Sequence, residues 1–232
     1  MSDETKRAFV LTNVEQVVYC LTYNYPILET EHTLSPHRIA GGVDQLIKKG
    51  QWDKVYRVVD AVLDGPITYA AYEVVKQIIA STAQLIHDPY NFNIGGAHRA
   101  NILESQEHRV ALANAIGVAT VLHLFDTQDN PYVPMVRLLT HPDPIIQQFV
   151  VAYMTDTSER TMKPIPKDIA VRTVSLENQL SRANEKPVLR MGGLFDLVNT
   201  GITSHHTIGI QLTALRLKEL HERNGLRASL LR

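Results

Sequence analysis

Between Ile67 and Ile86 the apolar residues fall at 67, 71, 74, 75, 78, 79, 83 and 86, joined by Thr82. This alternation of three and four is the pattern that most constrains what the chain can become. It predicts a long core helix. The same period recurs upstream. In FVLTNVEQVVYCLTY (9–23), Val10, Val14, Val17, Val18 and Leu21 share a face, and Pro26 ends the pattern. Ser35-Pro36 predicts a helix start, with serine as N-cap and proline in the first turn. That helix leads through Ile39, Val43, Leu46 and Ile47 to Lys48-Lys49-Gly50, and Gly41-Gly42 is its weak point. Trp52, Val55, Val58, Val59 and Val62 predict a further helix, punctuated by Gly65-Pro66.

Beyond His87 the chain changes character. DPYNFNIGG (88–96) is rich in turn formers and predicts an irregular loop. Residues 98–125 begin polar and end in IGVATVLHLF, apolar on all sides, which predicts a centrally buried helix. YVPMVRLLTHPDPIIQQFVVAYM (132–154) predicts a short helix, a turn, and a helix capped by Asp143 with Pro144 in its first turn. This piece resembles a single HEAT-repeat hairpin, yet no second copy appears at the ~40-residue period of a solenoid. The prolines of TMKPIPKD (161–168) exclude a continuous helix and mark a subdomain boundary near 160. Helices are expected over 169–183, 187–198 and about 208–223. No segment shows a period-two strand pattern, so the expected fold class is all-α: a multi-helix bundle or irregular helical array of about eight to ten helices.

Composition excludes several classes. With 44% apolar residues and a net charge of -1 the chain is not of the disordered type. The single cysteine, Cys20, rules out an internal disulfide framework and any multi-cysteine zinc site, and its setting in VVYCLTY reads as a core side chain. No signal peptide and no apolar run near ~20 residues is present, which predicts a cytoplasmic protein, or one inside a particle assembled in the cytoplasm, with no membrane partner. The charge is divided along the chain. Residues 1–159 hold 11 Lys+Arg against 18 Asp+Glu, and residues 160–232 hold 12 against 6. An acidic body is followed by a basic C-terminal third, a pattern that points to an acidic partner surface or a nucleic-acid backbone.

Ten histidines invite a search for a metal site. Most stand alone, His205-His206 point apart, and Glu104–His108 is one helical pair with no second pair to complete a di-metal site. His87-Asp88, at the end of the long helix, resembles the signature of the HD phosphohydrolases. In that all-helical family a His, a His-Asp doublet and a distant Asp bind divalent metal and hydrolyse phosphate esters. The resemblance implies His37 in SPHRIAGG as first ligand, His87 and Asp88 as the doublet, and Asp126 or Asp143 as the last. Pro89 departs from it, and Asp88-Pro89 is an ordinary turn start. The structural reading is therefore preferred, with no metal, cofactor or catalytic residue assigned. The chain also lacks a phosphate-cradling glycine loop and a nucleophile elbow.

The basic tail RLKELHERNGLRASLLR has no aromatics for base stacking, so only phosphate contacts would be open to it. Its helix is apolar on two sides. Ile208, Leu212 and Leu215 share one face, and Ile210, Ala214 and Leu217 nearly the opposite one. Ile210, Leu217, Arg216, Lys218, Arg223 and Arg227 are the expected partner-binding residues. The resulting expectation is a non-catalytic helical assembly or adaptor protein that joins copies of itself or a larger complex, such as a viral or phage-type structural component. A metal-dependent phosphohydrolase and a nucleic-acid accessory protein acting through 160–232 are the alternatives.

Overall fold

The computed structural model describes residues 14–23, 28–29, 32–33, 35–87, 103, 105–184, 219–220 and 222. The chain divides into two compact units, 1–115 and 116–232. The fold is all-α, with eight α-helices among the described residues.

In the first unit, α1 is Val14–Tyr23, α2 Pro36–Lys48, α3 Trp52–Asp64 and α4 Tyr69–His87. Each buries the stripe that its periodicity announces. Val14, Val17 and Leu21 face inward on α1, and Val74, Val75, Ile78 and Ile79 form the centre of α4. Packing is chiefly between alternate helices, α1 with α3 and α2 with α4. Both pairs run parallel. On α1 and α3, Glu15 meets Arg57 and the Leu21 carbonyl meets Gly65. On α2 and α4, His37 meets Glu73 and Asp44 meets Ser81. Gly65 is required at its position, since a Cβ there would lie 2.1 Å from the Leu21 oxygen and 2.9 Å from that of Ala61.

Two local expectations are corrected. Ser35 stands at the N-cap position of α2, but its hydroxyl makes no capping bond; its carbonyl instead accepts from the Arg38 and Ile39 N–H groups at 3.0 and 3.1 Å. α4 starts at Tyr69 rather than Ile67 because the Thr68 hydroxyl accepts from the Ala71 N–H at 3.2 Å, ending the capping uncertainty two residues later. A ladder of two residues a side, β1 Leu28–Glu29 against β2 His32–Thr33, pairs antiparallel. Strands of two residues are too short to register as alternation.

Helix α5, Gln106–Val121, contains the division between the units, and every residue from Ala111 to Leu122 is buried, as its all-round apolarity requires. It stops at Val121, short of the 125 expected, because His123 adopts a left-handed conformation at φ 57°. The Leu124 N–H reaches the Ala119 carbonyl at 3.0 Å and the His123 N–H that of Thr120 at 3.3 Å, closing a Schellman turn with no glycine to announce it. In the second unit follow α6 Val133–Val136, a 3₁₀ turn Arg137–Thr140, α7 Pro144–Thr161 and α8 Lys167–Asn184. Asp143 caps α7, its carboxylate accepting from the Ile145 N–H at 2.8 Å. Residues 162–166 are not helical, as their prolines dictate. Helix α8 buries Ile169, Thr173, Leu176 and Leu180, one stripe of an amphipathic helix. The loop expected over 88–96 and the helix expected over 187–198 lie outside the described residues, as does the last helix except for Glu219, Leu220 and Glu222.

Candidate functional site

The polar groups that sequence singles out for metal chemistry are spent on holding helices together. His37 opens α2 with its ring exposed, its Nδ1 3.3 Å from the Glu73 carboxylate and its ring edge-on to Tyr69. Glu73 also takes Lys76 at 3.2 Å. Further along the same seam, the Ser81 hydroxyl donates to Asp44 at 2.7 Å and accepts from Gln77 at 2.8 Å, while Lys48 pairs with Asp44 at 2.7 Å. This is a polar zip between α2 and α4.

His87, the last residue of α4, lies 14 residues beyond Glu73 on one continuous helix. At a rise of 1.5 Å per residue that is about 21 Å along the axis. A shared ion needs its ligands within roughly 2–3 Å of one point. His37, held at Glu73, and His87 therefore cannot ligate a common metal, and the ligand set that the phosphohydrolase resemblance implies is overturned. Asp88 lies outside the described residues. Among the described residues no group of three or more His, Cys, Asp or Glu is placed to hold a metal ion.

Asp126 and Asp143 have other work. The Arg160 guanidinium grips Asp126 with two parallel bonds, Nε to Oδ2 at 2.7 Å and Nη2 to Oδ1 at 2.8 Å, and His123 Nδ1 stands 3.2 Å from Oδ2. Burial by itself would raise the Asp126 carboxyl, but the Arg160 fork, helped by His123, outweighs it and holds the group below the usual carboxylate range. Lys163 closes the same knot, donating to the carbonyls of Asp126 at 3.1 Å and Gln128 at 2.6 Å. Its own carbonyl accepts from the Tyr132 hydroxyl. Tyr153, fully buried, donates to the Pro131 carbonyl at 2.7 Å, and desolvation pushes its phenol far above the ordinary range. These groups tie residues 123–132 to the end of α7. Asp143 is the α7 cap, its N–H given to His141 Nδ1 at 3.0 Å.

No family model, curated protein or solved structure matches this chain. Function has to be read from its own surfaces.

Two surfaces stand out, and sequence reading missed both. On α8, opposite the buried stripe, Lys167, Val171, Val174, Asn178 and Arg182 recur at helical spacing and all are exposed; Val171 is 64% and Val174 54% accessible. The signal was present in the sequence, since the valines are out of phase with Ile169, Leu176 and Leu180. On α1, Glu15, Tyr19 and Tyr23 form another exposed stripe, with the tyrosine rings 4.9 Å apart. The expected partner-binding residues Ile210, Leu217, Arg216, Lys218, Arg223 and Arg227 lie outside the described residues; within that segment Leu220 is buried, with Glu219 and Glu222 exposed. Cys20's side chain is likewise outside them. No described helix is long and apolar enough to cross a membrane.

Proposed function

We propose that this chain is a non-catalytic helical assembly protein that associates with other copies of itself through its basic C-terminal third. The observation that carries the reading is the outward stripe of α8, where two exposed valines sit between Lys167 and Arg182 on the face the core does not use. An apolar pair framed by cations is suited to docking against an apolar, acidic surface. The chain supplies such a surface in its own first 159 residues, where Asp+Glu outnumber Lys+Arg by 18 to 11. Association between unlike surfaces is heterologous, so it builds rings or open filaments rather than isologous dimers.

Sedimentation velocity from about 0.05 to 1 M salt tests this, because the Debye length shrinks from roughly 14 Å to 3 Å over that range. Association should be strongest at low salt and should weaken, without vanishing, at high salt. Val171→Asp with Val174→Asp should abolish it while the far-ultraviolet circular dichroism stays unchanged. Covering the two valines is worth about 2–3 kcal/mol, so their loss weakens association by roughly 30- to 150-fold. A full-length protein that stays monomeric at high concentration and low salt would overturn the reading.

A further inference from the structure

The acidic partner surface can be located. Two contacts fix how α1 lies on α3: Glu15 of α1 against Arg57 of α3, and the Leu21 carbonyl against Gly65, just past the end of α3. Between these anchors Tyr19 is level with the stretch around Asp60, and Tyr23 lies at the level of Asp64 or just beyond. Asp53, Asp60 and Asp64 stand four residues before, three after and seven after Arg57, so the three carboxylates share its outward stripe. Asp53 and Asp64 are exposed, and Asp60 is half-exposed. Tyr19 and Tyr23 are 54% and 61% accessible. The outer face of the α1–α3 pair thus carries four carboxylates against one guanidinium, around a pair of tyrosine rings.

We infer that the outer face of the α1–α3 pair, built from Tyr19, Tyr23, Asp53, Asp60 and Asp64, is the docking surface for the α8 stripe Lys167–Val171–Val174–Arg182 of a second copy of the chain. This deepens the assembly reading and rests on it. The occupant is chosen by complementarity. The stripe is cationic at both ends and apolar in the middle; the face is apolar along α1 and anionic along α3. Lys167 and Arg182 are 15 residues apart on α8, about 22 Å, and Asp53 and Asp64 are 11 apart on α3, about 16 Å, a difference that the reach of long lysine and arginine side chains covers. Tyrosine faces also attract guanidinium and ammonium groups at the edges of such a contact. The α8 stripe lies in one compact unit and the α1–α3 face in the other, so each copy offers one of each and the contact propagates head to tail.

A charge swap in the full-length chain tests the pairing by sedimentation velocity at about 0.05 M salt. Asp60→Lys with Asp64→Lys reverses the face, and Lys167→Glu with Arg182→Glu reverses the stripe. Each double variant alone should self-associate at least tenfold more weakly than the wild type. An equimolar mixture of the two should recover association, because every contact in an alternating assembly is again between opposite charges. If the wild type associates but reversing Asp60 and Asp64 leaves its dissociation constant within twofold, or the mixture shows no recovery, the docking face is wrong and the assembly reading stands. If the wild type does not associate, both fall. Should the reversed face compromise folding by thermal melting, Tyr23→Ser with Asp64→Asn, confined to exposed side chains, makes the same comparison with an expected weakening of at least fivefold.

Discussion

Replacing glycine with alanine should have opposite effects at two positions of the first unit, and the structure sets both signs. At Gly65 the new methyl group would sit 2.1 Å from the Leu21 oxygen, where contacts below 3.0 Å are essentially never tolerated, so α1 and the end of α3 would have to separate by about 0.9 Å. The second obstacle, the Ala61 oxygen at 2.9 Å, is also backbone, and no side chain can swing aside. Overpacking of this kind costs about 1–3 kcal/mol, here near the upper end. Backbone conformation adds nothing, since Gly65 at φ -83° and ψ 176° is in a region open to alanine. The reduced entropy of the unfolded chain returns about 0.4–1 kcal/mol, leaving a net destabilisation of roughly 2 kcal/mol. At Gly41, inside α2, nothing lies within 4 Å of the added carbon, so alanine should stabilise by about 0.5–1 kcal/mol. Trp52, the single tryptophan, is buried at the start of α3 and reports on this unit. In urea, with a slope of about 2 kcal/mol per molar, its fluorescence midpoint should fall by ~1 M for Gly65→Ala and rise by ~0.3–0.5 M for Gly41→Ala. A loss under about 0.5 kcal/mol at Gly65, or shifts of the same sign at both positions, would refute the close approach of α1 to the α3 terminus.

Asp143→Ala removes the α7 cap and should cost about 1 kcal/mol, measurable as a lower thermal midpoint, while Asp143→Ser should recover most of it. Asp126→Asn leaves the partly buried Arg160 without its bidentate partner and should destabilise by about 1–3 kcal/mol near neutral pH. Because folding lowers the Asp126 pKa, its contribution is fully present above the unfolded value of about 3.9 and is lost as pH falls through the folded value; the gap between wild type and Asp126→Asn should therefore close in acid below about pH 4. A stability difference that persists undiminished at pH 2 would contradict the fork as its source.

Much of the helical frame was legible because it depends on local spacing. The α3 face of Trp52, Val55, Val58, Val59 and Val62 is buried as its periodicity requires, and the α6–3₁₀–α7 segment has the short helix, turn and Asp143-capped helix read from its prolines. Long-range polar pairing was not legible. His37 finds Glu73, 36 residues away, and Asp126 finds Arg160, 34 residues away, only because stacked helices bring them level. A histidine and an aspartate awaiting such partners look the same in sequence as free metal ligands, which is how His37 and Asp126 entered a candidate ligand set. The left-handed end of α5 was hidden for a different reason: His123 occupies the position where glycine usually signals the turn.

The same distinction separates fold from association. Reversing Asp126 or Asp44 would break bonds that hold helices in place, so any effect on assembly would be confounded with unfolding. The α8 stripe and the α1–α3 face are different, because the core uses the opposite sides of those helices: Ile169, Thr173, Leu176 and Leu180 on α8, and Val14, Val17 and Leu21 on α1. Substitutions confined to exposed positions typically change stability by no more than about 0.5 kcal/mol. A surface whose side chains can be replaced without cost to the fold, yet which places valines between two cations and tyrosines beside three carboxylates, is under a constraint that folding alone does not impose. Association is the constraint proposed here, and it can be measured with the folded state held constant.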